Sequence, residues 1–233
     1  MILEIIYGLL SLLKRKKINL ADYEAKVDYG TLNEYQRKAM DNILMACEMG
    51  AAGAEIPRLT QKEFDEVVSH IGLHFGSDDI CKNIALKRGD DAVVNLEVYK
   101  QAKEHKAKLD KWIDSAISKL NEGTTEYKLE QIAKCIADNA KYEYGTNNPL
   151  SLVDEGGMCG AYAMLFYKMA TRIGVEAYIC YGEADNGKQK AFHAWNKADG
   201  YFYDITWYDT LPRNSKYLRS NTAWGREHKL NAR

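Results

Sequence analysis

Cys159 stands in the stretch GGMCGAYAM, residues 156–164, flanked by glycines and followed by a run of small and apolar residues. A thiol is a useful nucleophile only as thiolate, and a free cysteine titrates near ~8.5. The N–H groups and dipole at a helix start lower that value. Glycines beside a thiol admit a substrate backbone and leave backbone N–H groups free to stabilise an oxyanion. Taken alone, a cysteine is more often an inert core residue. His193, in AFHAWN, changes that balance, because imidazole takes a thiol proton or holds it as an ion pair. Strand alternation puts it on the same face as Trp195. Asp204, in YFYDITWYD, is a carboxylate among aromatics and is costly there unless paired. On a strand next to His193 it would fix the imidazole tautomer and stabilise the charged ring. Asp199 and Asp209 fit exposed turn positions better. His70 and His74 fall near a helix end, His105 in a highly charged stretch and His228 near the C-terminal tail. None of these four has a setting comparable to that of His193.

These residues need a helix start and two neighbouring strands. The spacing of Tyr162, Leu165, Phe166, Met169 and Ile173 predicts a helix from about Met158, stopped at Gly174. The segments EAYICYG, AFHAWNKA and YFYDITWYD then read as strands separated by turn sequences. On the third, Phe202, Asp204 and Thr206 would share a face. A helix followed by an antiparallel meander is an α+β pattern. Upstream, residues 33–50 and the segment from Thr60 read as helices, the latter with Glu63 completing a capping box and Gly72 as its stop. CKNIALKRGDDAVVNLEVY reads as a β-hairpin continuing through Leu96 and Val98. Helices follow over about 100–120 and 125–141, and YEYGTNNPLS reads as a loop.

The stretches GMCGAYAMLFYKMATRIGVEAYICYG and HAWNKADGYFYDITWYD resemble the transglutaminase-like superfamily of papain-fold cysteine enzymes over about residues 125–225, and KYLRSNTAWGREHKL is similar to the tail of bacterial members. The resemblance implies an α+β, papain-like core in which a helix carrying the cysteine packs on an antiparallel sheet. It implies residues 100–233 as that core and residues 1–99 as a mainly helical N-terminal extension with a small hairpin. It gives Cys159 the role of nucleophile, His193 that of general base and acid, and Asp204 that of orienter. Gly157, Gly160, Trp195 and Trp207 are then candidates for substrate contact. A second oxyanion donor belongs upstream of the cysteine, with Tyr144 and Asn148 as candidates and Asn147 in the same region. The chemistry implied is acyl transfer through a thioester: resolved by water it makes a protease or amidase, by a lysine amine a transglutaminase. Animal-type transglutaminases add β-domains and calcium sites, and this chain has neither room for them nor an EF-hand-type acidic cluster, so hydrolysis of peptide or protein amides is favoured. A binding or scaffold module that kept the fold is the non-enzymatic alternative.

The bulk composition excludes several other classes. The 233 residues carry 32 basic and 33 acidic side chains, which argues against nucleic acid as a partner; the expected partner is a peptide or protein substrate. KRKK at 14–17 reads as a solvated helix end. The five cysteines are widely spaced with no CxxC pair, so no metal, no cofactor and no disulfide framework is expected. Free thiols favour a reducing, cytoplasmic compartment. MILEIIYGLLSLL has helical apolar spacing, is shorter than a bilayer span and lacks the pattern of a secretory signal. It reads as an amphipathic docking helix, and the helical N-terminal region as a candidate surface for a protein partner.

Overall fold

The computed structural model describes residues 32–87, 90–185, 187, 190–222, 224 and 227–230. The expected helix over residues 1–13 and the basic run at 14–17 lie outside the described residues. The chain divides into two compact units, one of residues up to Phe75 with Asp79–Ala102, the other of Gly76–Asp78 with Lys103 onward.

The first unit contains helices α1 (Glu34–Glu48), α2 (Gln61–Phe75) and α3 (Asp78–Cys81) and strands β1 (Gly53–Glu55), β2 (Ile84–Lys87) and β3 (Asp91–Val94). Helix α3 begins at the last residue of the short segment assigned to the other unit. Asn33 and Gln36 form a capping box on α1, and Thr60 and Glu63 exchange the equivalent bonds ahead of α2. Helix α2 runs through Gly72 to Phe75, because Gly72 is buried in the helix and Val67, Ile71 and Phe75 continue its apolar face. The strands form an antiparallel sheet in the order β1-β3-β2. The hairpin of β2 and β3 is present but shorter than expected. Asn95 accepts bonds from the N–H groups of Glu97 and Val98 and starts helix α4 (Leu96–Ile117), so Leu96 and Val98 are helical.

Helix α4 continues into the second unit. There it is followed by α5 (Thr125–Asn139), α6 (Pro149–Asp154), α7 (Cys159–Arg172), β4 (Ala177–Asp185), β5 (Lys190–Ala198), β6 (Tyr201–Tyr203), α8 (Ile205–Thr210), α9 (Ser215–Leu218) and β7 (His228–Leu230). The sheet order is β6-β5-β4-β7, all pairs antiparallel. Leu165, Phe166 and Met169 of α7 share one core with Leu129, Ile132 and Ile136 of α5 and Trp195 of β5. Asn196, fully buried, sends its amide N–H groups to the carbonyls of Ala163 (2.9 Å) and Tyr178 (3.2 Å), tying β5 to α7 and β4. Asp199 (φ 48°) and Gly200 (φ 78°) make the tight turn between β5 and β6, the conformation an Asp-Gly pair favours. Helix packed on antiparallel sheet is the expected α+β arrangement. Two elements depart from expectation. The third strand ends at Tyr203, and the loop after α5 contains α6, capped by Asn148 with Pro149 at its first position. Among the described residues no helix is long and apolar enough to cross a membrane.

Candidate active site

Helix α7 begins at the thiol. Met158 takes the N-cap position with extended backbone and no side-chain cap, so Cys159 is the first helical residue. The first N–H groups of a helix have no intrahelical partner and favour an anion. The segment before it is held by backbone bonds: Gly157 N–H to Lys141 (2.9 Å), Glu143 N–H to Gly157 (3.1 Å) and Met158 N–H to Thr146 (2.8 Å). These place the loop carrying Tyr142, Tyr144 and Asn147 beside the thiol. A Cβ on Gly160 would lie 2.4 Å from Asn147 Oδ1, so glycine at this position is what lets that amide approach.

His193 lies on β5 opposite Gly182 of β4 and is buried. Its Nε2 is 2.9 Å from Asp204 Oδ2, and its ring also hydrogen-bonds the Cys159 thiol, which leaves Nδ1 for the sulfur. The indole of Trp207 stacks on it with ring centroids 5.3 Å apart. Asp204 is fully buried, and it is not a strand residue. It caps α8, with Oδ1 accepting from Trp207 N–H at 3.0 Å, so the expected strand face shared with Thr206 does not exist. His228, unremarkable in the sequence, is also fully buried, and its Nε2 is 2.8 Å from the same Asp204 oxygen. Strand β7 brings it there by pairing with β4, Ala184 opposite His228.

The electrostatics follow from these contacts. Burial pushes the Cys159 thiol up, but the hydrogen bond and charge of His193 and the backbone N–H groups of Ala194 and Gly160 outweigh it, and the net shift is downward. Burial pushes His193 down, but the charge and hydrogen bond of Asp204, with help from Cys159, raise it to about 10. Burial raises Asp204, and the charge and bond of His193 with those of His228 bring it below its ordinary range. Opposite shifts on thiol and imidazole favour a thiolate–imidazolium pair. His193, Asp204 and His228 bring three ligand-type atoms within 4.8 Å of one another, a spacing that could hold a cation. Hydrogen bonds of 2.9 and 2.8 Å join the two imidazoles to the carboxylate in this cluster.

Cys159 and His193 line a cavity of about 460 Å³. Tyr142, Tyr144, Tyr181, Phe192 and Trp207 give it an aromatic wall, and its described lining contains no Lys, Arg, Asp or Glu. Of the expected substrate contacts, Gly160 and Trp207 line it. Gly157 does not, because it is buried and its backbone is bonded to the neighbouring loop. Nor does Trp195, which is buried in the core at 1% exposure. Of the expected oxyanion candidates, Tyr144 lines the cavity. Asn148 is turned away, its Oδ1 capping α6 and its Nδ2 beside His105; Asn147 takes the position facing the cavity.

Residues 114–212 match the family model of the transglutaminase-like superfamily. A solved structure described as "Crystal structure of a TGase" is similar over 52% of this chain at 15% identity, with a TM-score of 0.37. The chain spans 43% of the length of that structure. No curated protein matches the chain. Cys159, His193 and Asp204 fall inside the segment that matches the transglutaminase-like family model, and His228 lies outside it.

Proposed function

We propose that this protein is a thiol-dependent acyl-transfer enzyme that hydrolyses peptide or protein amide bonds through Cys159, His193 and Asp204. The observation that carries the reading is the thiol at the first residue of α7, hydrogen-bonded to an imidazole whose other nitrogen is held by a buried carboxylate. The thiolate attacks the amide carbonyl, and a tetrahedral oxyanion forms. Its donors in this reading are the backbone N–H groups at the start of α7, with the Nδ2 of Asn147, a residue of the same cavity, as the second. His193 gives its Nδ1 proton to the leaving amine, and the C–N bond breaks to leave a thioester. Water, deprotonated by the same nitrogen, then attacks the thioester and expels the thiolate. Asp204 stays ionised and keeps the imidazole oriented. The cavity, with its aromatic wall, favours bulky groups beside the reacting amide. Its described lining offers no carboxylate to dock a lysine ammonium, which favours water over an amine as acceptor.

The test has two arms. Iodoacetamide should alkylate Cys159 far faster than Cys47, Cys81, Cys135 and Cys180 near neutral pH, read by peptide mapping. The intact enzyme should cleave a peptide library, and Cys159→Ala should not. Incorporation of a fluorescent amine into casein without cleavage would assign transglutaminase activity instead. Equal, slow labelling of all five thiols would remove the basis for either enzyme.

A further inference from the structure

Asp204 offers one oxygen to two imidazoles. His193 Nε2 approaches Oδ2 at 2.9 Å and His228 Nε2 at 2.8 Å, while Oδ1 accepts from Trp207 N–H at 3.0 Å. His228 does not line the cavity that contains Cys159. Its ring sits among Trp207, Trp224 and Trp195, with centroids 4.4, 4.6 and 4.8 Å away. Its Nδ1 is buried with no hydrogen-bond partner among the described residues, and so is the indole N–H of the adjoining Trp195. An ionised carboxylate only accepts, so the ring nitrogen that meets it at 2.8 Å carries a proton. The hydrogen-bond pattern therefore puts the His228 proton on Nε2, aimed at the carboxylate.

We propose that His228 is a positioning residue for this site, its Nε2–H holding Asp204 ionised and aimed at His193, so that strand β7 completes the site from outside the family-matching segment. The proposal rests on the reading that Cys159, His193 and Asp204 act together. A buried carboxylate keeps its charge only if donors replace its water. Three donors do so here, and together they hold Asp204 below its ordinary range against the effect of burial. Without the His228 donor, Asp204 takes a proton at higher pH, and an uncharged Asp204 no longer stabilises the His193 imidazolium. The titratable groups facing Asp204 are His193 from β5 and His228 from β7. Cys159 of α7 acts on it through His193. Tyr217 of α9 gives its backbone carbonyl to Asp204 N–H (2.9 Å), and its hydroxyl faces Glu227, which pairs with Lys216.

The experiment compares the full-length wild type with His228→Gln and His228→Phe. Glutamine keeps an N–H donor and loses the ring; phenylalanine keeps the ring among the tryptophans and loses the donor. The readout is the pH dependence of Cys159 alkylation by iodoacetamide. His228→Phe should move the acid limb up by about one pH unit or more, the size expected for a hydrogen bond to a charged group, and His228→Gln should stay within about half a unit of wild type. An unmoved limb in His228→Phe would overturn the proposal, as would a limb displaced as far in His228→Gln, which would make ring packing the cause. NMR of the ¹⁵N-histidine-labelled wild type decides the bond itself. A proton on His228 Nε2 with bare Nδ1 supports it, and a proton on Nδ1 overturns it. Ordinary reactivity of Cys159 in the wild type would overturn the acyl-transfer reading, a result distinct from the His228 tautomer.

Discussion

Asp204→Asn tests the site with the least change of shape. Asparagine is as good an N-cap as aspartate, so α8 keeps its bond to Trp207 N–H. What is lost is the charge facing His193 and the acceptor shared by two imidazole N–H groups. The Asn Nδ2 would meet those N–H groups donor to donor, which forces a tautomer change or breaks the contact. His193 then loses the main cause of its raised basicity, and the thiolate loses its cationic partner. The thiol's titration then moves back up, and each pH unit of that return lowers its thiolate fraction about tenfold at pH 6.5. The more basic thiolate is intrinsically the better nucleophile, with a Brønsted slope of about 0.4–0.5, which returns about threefold of each tenfold. The net expectation is a fall of about threefold in the alkylation rate of Cys159 at pH 6.5 for each pH unit by which the thiol's titration moves up, shrinking as the pH approaches 9. The assay is iodoacetamide labelling with peptide mapping across that range, on protein shown to be folded by circular dichroism. A folded variant whose Cys159 keeps the wild-type rate at pH 6.5 refutes the claim that Asp204 sustains the ion pair.

Stability should follow the same pair. His193 is raised from 6.5 to about 10, so its contribution is full below pH 6.5 and fades as the pH rises through about 10. Asp204 is lowered from 3.8, so its contribution is present above that value and disappears as the pH falls through the depressed one. Thermal melts should show the pair stabilising the fold most between about pH 4 and 6.5, and Asp204→Asn should lose that dependence. Asn147→Ala should slow amide turnover by about 10²-fold, the cost of one oxyanion donor, yet leave alkylation of Cys159 unchanged because that reaction forms no oxyanion. Gly160→Ala places a methyl 2.4 Å from Asn147 Oδ1, so turnover should fall as in Asn147→Ala, and overpacking should cost about 1–3 kcal/mol in a denaturant melt. Phe192→Ala removes an exposed aromatic of the cavity wall and should raise KM for peptides with bulky groups while kcat holds.

The grouping of Cys159, His193 and Asp204 was legible because each is costly or wasteful where it stands unless it has a partner. A thiol between glycines, a histidine in a buried strand and a carboxylate among aromatics each call for a partner. The helix start at Cys159 was legible too, since apolar spacing fixes the phase of α7 and the glycines precede it. The backbone at Asp204 was not. Ile205 to Tyr208 are β-branched and aromatic, which reads as a continued strand. A cap bond from Asp204 and the packing of Trp207 against His193 and Tyr217 override that preference. Asn148 was misplaced by one residue, although Asn followed by Pro is itself a helix-start signal, and reading it would have left Asn147 to face the cavity. His228 left almost no trace. Its strand is three residues long, and its partner lies 24 residues away in the sequence, so neither periodicity nor local spacing points to it.

Asp204 couples the fold to the chemistry. One carboxylate oxygen starts α8, and that helix carries Trp207, whose ring stacks on His193. The other oxygen binds the imidazole whose ring Trp207 covers. The cap therefore sets both the direction of the acceptor and the stacking surface on the ring it must orient. Because Asp204 is fully buried, its ionisation depends on every donor around it, including one from a strand outside the matched core. A substitution that loosens β7 should thus change the reactivity of Cys159 without touching the cavity. Changes to Phe192 and Tyr144, the exposed aromatics of the wall, should alter which amide binds and leave the thiol's ionisation alone.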